Sequence, residues 1–284
     1  MVSNRTSGSS KTLPAIIMKP ISHKKNHFVP QVYLKQWTQN DKGNIGLYTL
    51  NLRDNLARKQ APADIAKKKN LYTLPLNYGP ETKLTEKIIF KIHEDCWSNV
   101  TAALNIGNSL TREQTIQLRN FVINQSLRTP KFARETTKII EQHGDVALKD
   151  IPFSVQWAYL GIKIFPTLAE NCCVELYYSL ELKIFITSDN PATHWLSDGI
   201  NFTYLNGIAK NNTLFKNPLY KIVCPLTPRY FAILTPNLGI PISDAVKSNV
   251  VFRQIDGNTI NLFNSLTEKG ADKLLFARTL TDLI

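Results

Sequence analysis

Apolar residues recur at every fourth position in the middle of the chain, and this spacing constrains the fold most. Within the segment 82–104 the repeat runs through Leu84, Ile88, Ile92, Cys96 and Val100. Side chains spaced by four lie along one face of an α-helix, and such a face must pack against another layer to leave water. The segment therefore predicts a central amphipathic helix that needs partners.

Several more helices are predicted around this one. Thr111 is followed three residues later by Gln114, a capping box that is typical of a helix N-terminus. That helix is expected to end near Arg128, because Thr129 and Pro130 interrupt it. The other predicted helices cover residues 131–143, 153–168, 242–254 and 258–269.

Short runs of β-branched and aromatic residues on both sides of the helical region predict strands. They cover residues 46–51, 70–74, 174–178, 182–187, 220–224, 230–234 and 274–277. The third and fourth runs predict one hairpin, and the fifth and sixth predict another that turns at residues 225–228. This order predicts an α+β fold, with a central helical bundle packed on antiparallel β-hairpins from the N- and C-terminal parts.

The chain of 284 residues has a formal net charge of +12. Residues 1–22 are polar and basic and are predicted to be a disordered tail, and residues 23–284 are predicted to form a single α+β domain. A strong positive charge favours phosphate-bearing partners, so nucleic acid or a nucleotide is an expected partner. The alternative is that the charge only keeps the protein soluble.

Location and reaction class are constrained by what the sequence lacks. No stretch approaches the roughly 20 apolar residues of a membrane helix, so no membrane partner is expected. The four cysteines form no CxxC pair, which favours a reducing, cytoplasmic location. The sequence contains no GxSxG, Walker, GxGxxG or HExxH motif, and it carries no signal for an oligomeric state.

The segment from His27 to Trp37 combines an imidazole, a proline, an amide and several aromatic rings. His27 follows Lys24 and Lys25, whose charges favour its neutral form, so it is a candidate general base or metal ligand. Alternatively, it bonds local backbone at the entry to a helix that begins near Pro30. The Gln31 amide is a candidate substrate contact.

Two further candidate groups lie on the predicted helices. Gln125 and Arg128 are three residues apart and share a helical face, where the arginine could bind a phosphate. The alternative is a structural ion pair with a core acid such as Asp189. Glu94 is a lone carboxylate on the long helix, and a solvated helix face is its alternative explanation.

Asp189 and Asn190 follow a predicted strand that ends at Thr187. A strand end is a rigid mount, and Asp189 could there act as a base, bind a metal or orient His27. The alternative is an Asx-turn, since Asp and Asn before a proline favour turns.

Taken in order, these clusters resemble a bacterial family catalogued as a domain of unknown function, DUF4238. The resemblance covers residues 23 to about 280 and supplies no reaction. It implies that recurring family positions are His27, Pro30, Tyr33, Gln125, Arg128, Asp189, Asn190 and Pro191. It also implies an asparagine on the late helix, Asn261 or Asn264, a glutamate at Glu94 or Glu86, and a setting among mobile or defence-related bacterial genes.

Two functions follow as expectations. The first is a nuclease-like enzyme that cleaves phosphodiesters, with a divalent metal as candidate cofactor. One difficulty is that two-metal nucleases usually gather several carboxylates, whereas only one convincing acid is available here. Its catalytic residues would be His27, Asp189, Gln125 and Arg128, and its substrate contacts Gln31, Asn190, Asn264 and Glu94. The second is a non-catalytic nucleic-acid or nucleotide binding or sensing module, in which these residues form a buried network that ties the N-terminal segment to the sheet.

Overall fold

The structure, a computed structural model, describes residues 25–69, 71–72, 90–107, 109–142, 165–180, 184–206, 216–236 and 250–283. The predicted basic tail, residues 1–22, lies outside these residues. Within the described ranges, no helix combines the length and the apolar character that crossing a bilayer requires.

The helices follow the predicted caps closely. The Thr111 hydroxyl accepts from the Gln114 backbone while the Gln114 side chain accepts from the Thr111 backbone, so the predicted capping box is confirmed. The next helix begins at Pro130, after a break of two residues, Arg128 and Thr129. The helices are α1 Gln31–Leu34, α2 Lys91–Asn105, α3 Arg112–Leu127, α4 Pro130–Gln142, α5 Phe165–Glu170 and α6 Gly257–Gly270.

The strands are β1 Lys25–His27, β2 Gln39–Asp41, β3 Asn44–Asn51, β4 Leu56–Gln60, β5 Lys67–Lys69, β6 Cys172–Tyr178, β7 Thr187–Ser188, β8 Thr193–Ser197, β9 Phe202–Tyr204, β10 Tyr220–Thr227, β11 Tyr230–Pro236, β12 Val250–Gln254 and β13 Leu274–Ala277. Six of them form a sheet in the order β12-β6-β11-β10-β8-β9. A five-stranded sheet has the order β2-β3-β13-β7, with β4 also paired to β3, and β1 pairs with β5. The predicted α+β class is therefore confirmed.

Helix α3 lies at the centre of the packing. Its last turns are buried on all sides, including the polar side chains of Asn124, Gln125 and Ser126. The ring of Trp97 on α2 stacks on Phe121 with centroids 3.9 Å apart, and Tyr33 of α1 lies 5.8 Å from the same ring. Helices α1, α2 and α3 thus share one aromatic core, which fixes the position of the N-terminal segment.

Two predictions for the C-terminal half are wrong. Strand β6 does not form a hairpin with residues 182–187; it pairs with β11 and, in parallel, with β12. The chain instead crosses to the other sheet, where β7 pairs with β13. Residues 250–254 form strand β12 rather than a helix, because pairing with β6 overrides their apparent helical spacing. The predicted hairpin of β10 and β11, helix α6 and strand β13 are confirmed.

The N-terminal strands also differ in part from the prediction. The strand predicted at residues 46–51 is confirmed as β3. No strand is predicted in the connection that follows, but it contains β4, which pairs with β3, and then β5. Leu71 and Tyr72 lie in a turn, and the rest of the predicted strand 70–74 falls outside the described residues. The charged composition of β4 and β5 concealed them, since lysines and arginines are typical of exposed edge strands.

Candidate functional site

The predicted site residues fall into two clusters. The first, called here the N-terminal cluster, consists of His27, Gln31, Glu94, Gln125 and Arg128. The second, the C-terminal cluster, consists of Asp189, Asn190 and Asn264. Among the described residues no hydrogen bond or ion pair joins His27 to Asp189, so the imidazole and the carboxylate serve different elements.

The His27 imidazole is half-buried at the end of β1. Its Nε2 lies 3.0 Å from Nε2 of Gln31, one turn further along the chain. Because an amide nitrogen only donates, this ring nitrogen accepts and carries no proton. Burial lowers the pKa of His27, and the nearby charges of Lys67 and Arg128 lower it further, against opposing contributions from the Ile65 backbone and Glu94. The imidazole is therefore neutral near pH 7.

Arg128 is buried at the C-terminus of α3, with both terminal nitrogens bonded. Nη1 donates to Oε1 of Glu94 at 2.9 Å, and Nη2 donates to the backbone carbonyl of His27 at 2.7 Å. The guanidinium also lies 4.2 Å from the ring centroid of Phe90 and 5.8 Å from that of Tyr72. Burial alone would lower the pKa of Arg128, but the Glu94 carboxylate and Tyr72 raise it overall. The acid that pairs with Arg128 is thus Glu94, not Asp189.

Gln125, one helical turn before Arg128, supports the same strand. Its amide donates to the backbone carbonyl of Phe28 at 3.0 Å. Together Gln125 and Arg128 bind two successive carbonyls of the chain that leaves β1, at positions about a hundred residues earlier in the sequence. The end of α3 therefore fixes the N-terminal segment against the helical layer.

In the C-terminal cluster, Asp189 binds the backbone that precedes β13. Its carboxylate accepts from the amide of Asp272 at 2.8 Å and from that of Lys273 at 3.0 Å. Its own amide donates to Leu274. Burial raises the pKa of Asp189 to about 6, although the amide donors of Asp272 and Lys273 oppose this shift. This carboxylate acts as a cap for a turn.

The two asparagines satisfy backbone groups on other elements. Asn264 of α6 donates to the carbonyl of Ile184 at 3.1 Å and accepts from the amide of Ile186 at 3.0 Å, so its amide takes the place of a strand partner. Asn190 donates to the carbonyl of Gly270 at 2.8 Å and accepts from the Thr129 hydroxyl at 2.5 Å. Thr129 directly follows Arg128, so the two clusters meet where α3 ends.

Three residues that the sequence did not single out complete this junction. Besides Thr129, Lys131 of α4 donates to the carbonyls of Gly270 and Ala271 at 2.9 and 3.0 Å and so caps the C-terminus of α6. The buried Tyr72 hydroxyl donates to the carbonyl of Arg128. No local motif announces these contacts, because each bridges segments that are far apart in sequence.

Two further features bear on ligands. A groove of about 510 Å³ lies between the end of α2 and the start of α3, and its lining includes Asn99, Ala103, Ile106, Thr111 and Gln114 but no predicted site residue. Over the described ranges, no three His, Cys, Asp or Glu side chains are grouped so that they could hold a metal ion.

Residues 25–151 match the family described as "Protein of unknown function (DUF4238)". Over these residues the chain is similar to that family. The match includes all five residues of the N-terminal cluster, whereas the likeness beyond residue 151, including Asp189 and Asn190, stays a prediction. Neither the curated proteins nor the solved structures include one that matches the chain.

Proposed function

We propose that this chain is a non-catalytic module that binds nucleic acid. The observation that carries the proposal is that both terminal nitrogens of the buried Arg128 are bonded within the fold. This arginine was the predicted phosphate contact, yet its terminal nitrogens bind Glu94 and the His27 carbonyl, and its face packs on Phe90. A guanidinium held in this way stabilises the fold and has no free fork for a phosphate.

The second predicted catalytic group supports the same interpretation. The Asp189 carboxylate accepts from two backbone amides of the turn before β13 and is almost completely buried. A carboxylate that caps a turn is poorly placed to take a proton from a substrate or to approach a metal. Both clusters thus resemble the buried network that the second expectation describes.

The partner class follows from charge. The chain carries 34 lysines and arginines against 22 acids. Such an excess attracts the phosphate backbone of nucleic acid. Binding of this kind weakens steeply as the salt concentration rises, because the release of condensed counterions then gains less entropy. Exposed lysines provide this attraction by charge alone and need no catalytic site.

The test compares binding with turnover in the full chain. Labelled single-stranded RNA, single-stranded DNA and duplex DNA are titrated by fluorescence anisotropy over a salt series, with and without Mg²⁺. The same mixtures are then resolved on denaturing gels. Salt-dependent binding with intact strands supports the proposal. Absence of binding at low salt, or cleavage of the strands, would overturn it.

A phosphodiester hydrolase is the second candidate, favoured by one observation. The neutral imidazole of His27 is half-buried, and the Glu94 carboxylate that acts on its pKa has a side chain 32% exposed. A base and a carboxylate thus lie close together near solvent. If wild-type protein cleaves nucleic acid and His27→Gln abolishes cleavage while binding persists, this candidate replaces the non-catalytic one.

A further inference from the structure

We infer that the two-stranded ribbon of β1 and β5 is the surface that binds nucleic acid, through the phosphate backbone and without reading the bases. This inference rests on the proposed function and names the part of the molecule that performs it. The ribbon pairs Lys25 with Lys69, Asn26 with Lys68, and His27 with Lys67.

The register places like charges against each other. Residues directly opposite in an antiparallel pair project to the same face, as do positions two apart on one strand. Lys25, His27, Lys67 and Lys69 therefore share one face. Like charges directly opposite each other destabilise a strand pair. The structure nonetheless keeps Lys25 facing Lys69, an arrangement that a bound anion would relieve.

Neighbouring acids do not neutralise this face. Lys67 pairs with Asp64 at 3.2 Å and with the Ala63 carbonyl at 2.9 Å. In contrast, nowhere in the described ranges does an acidic side chain pair with Lys25, Lys68 or Lys69, and all three side chains are exposed. Lys25 and Lys69 on this face, and Lys68 on the opposite face of the ribbon, therefore remain available to a polyanion.

The chemistry of the ribbon favours an extended polyanion. Lysine binds phosphate as a flexible point charge and provides no fixed fork for a single small anion. A row of such charges suits a chain of phosphates, each held weakly, with affinity that depends on salt. No exposed aromatic platform flanks the lysines within β1 and β5, so base stacking is absent there and recognition does not depend on sequence.

An anionic membrane is the competing class of partner. Membrane-surface sites combine positive charge with apolar side chains that enter the headgroup region. Around the ribbon, the apolar residues Val29, Ile65 and Ala66 are buried in the core instead. The ribbon therefore presents charge alone, which suits a phosphate backbone in water better than a lipid bilayer.

Hydrogen bonds from the end of α3 and within the N-terminal segment anchor the ribbon to the rest of the fold. Arg128 and Gln125 hold the carbonyls of His27 and Phe28, and the Phe28 amide donates to Ala66 at 2.9 Å, just before β5. The N-terminal cluster thereby fixes both strands of the ribbon. In this arrangement the buried network positions the basic surface.

The test uses two triple variants of the full chain with the same loss of charge. The ribbon variant is Lys25→Gln/Lys68→Gln/Lys69→Gln, and the control is Lys138→Gln/Lys216→Gln/Lys273→Gln, three lysines that are also exposed. Affinity for a labelled single-stranded oligonucleotide is measured over a salt series. Losing three phosphate contacts should reduce the slope of log K against log salt by about 2 in the ribbon variant. The control should keep the wild-type slope.

Each other result has a definite meaning. Equal losses in both variants, or an unchanged ribbon variant, would overturn the ribbon while leaving nucleic-acid binding intact. A wild-type protein that binds no oligonucleotide would overturn the proposed function and the ribbon together. Binding to phosphatidylserine vesicles that the oligonucleotide cannot displace would assign the ribbon to membranes and overturn this inference. Thermal melts of both variants confirm that each stays folded.

Discussion

The Thr129 hydroxyl donates a hydrogen bond of 2.5 Å to Oδ1 of Asn190, a residue 61 positions later. Both side chains are buried, so this bond links the helical layer to the sheet layer away from water. Thr129 adjoins Arg128, and Asn190 adjoins Asp189. This hydrogen bond therefore directly links the two segments that carry the clusters.

A double-mutant cycle should show that these two residues act together. Thr129→Val and Asn190→Ala each leave a buried polar group without its partner, and each should destabilise the protein by about 1–3 kcal/mol. Because the two residues share a bond, their effects should be non-additive, with a coupling of about 1–2 kcal/mol. Urea unfolding measures each value. The matched cycle of Asn190→Ala with Thr137→Val, an exposed threonine on α4, should give coupling near zero. Additivity in the first cycle would contradict the link.

Arg128→Lys should be strongly destabilising despite conserving charge. The planar guanidinium serves Glu94 and the His27 carbonyl at once, and a lysine ammonium cannot reproduce that fork. We expect a loss of about 2–4 kcal/mol in the free energy of unfolding, since a buried ion pair loses its geometry. The control is Arg134→Lys, whose salt bridge to Asp272 is half-exposed and should cost less than about 1 kcal/mol. Equal losses of stability in the two variants would show that the paired bonds of Arg128 to Glu94 and to the His27 carbonyl do not stabilise the fold.

Asn264 and Asn261 offer a matched pair on helix α6. The sequence left both open as the late asparagine, and the structure separates them: Asn264 bonds the backbone of Ile184 and Ile186, whereas Asn261 is exposed. Asn264→Ala should destabilise by about 2 kcal/mol because it orphans a carbonyl and an amide. Asn261→Ala should change stability by less than about 0.5 kcal/mol. Thermal or urea unfolding checks both, and a larger effect at Asn261 would reverse the assignment.

The sequence predicted local features better than distant ones, for a physical reason. The capping box of Thr111 and Gln114 is decided within four residues, so its pattern determines its structure. The partner of residues 184–188 is not decided locally. Their alternating pattern fits either sheet, and bonds to Asn264 and to β13, all at least 78 positions away, select the second. A strand pattern specifies which faces are apolar but not which strand lies beside it.

The same reasoning applies to the site residues. Residue type and placement at a helix or strand end indicated that Gln125, Arg128, Asp189 and Asn190 were important. Their partners, such as the carbonyls of Phe28 and Gly270, have no signature in the sequence because any backbone carbonyl accepts a hydrogen bond. Residue type and placement therefore identified the important polar residues. Only the fold shows that these residues bond to the protein's own backbone.

The Asp189 carboxyl should give stability a distinctive pH dependence. Burial raises its pKa to about 6 in the native state, above the ordinary 3.8, so the native protein holds this proton more tightly than the unfolded chain. A group of this kind stabilises the fold below the unfolded pKa, and the contribution is lost as pH rises through about 6. The loss amounts to about 3 kcal/mol. Asp189→Asn keeps an acceptor oxygen and cannot titrate. Between about pH 4 and pH 7, the wild-type free energy of unfolding should therefore fall relative to that of the variant. Other groups titrate in this window in both proteins and cancel in the difference, so parallel profiles would mean that the Asp189 amide bonds outweigh its burial.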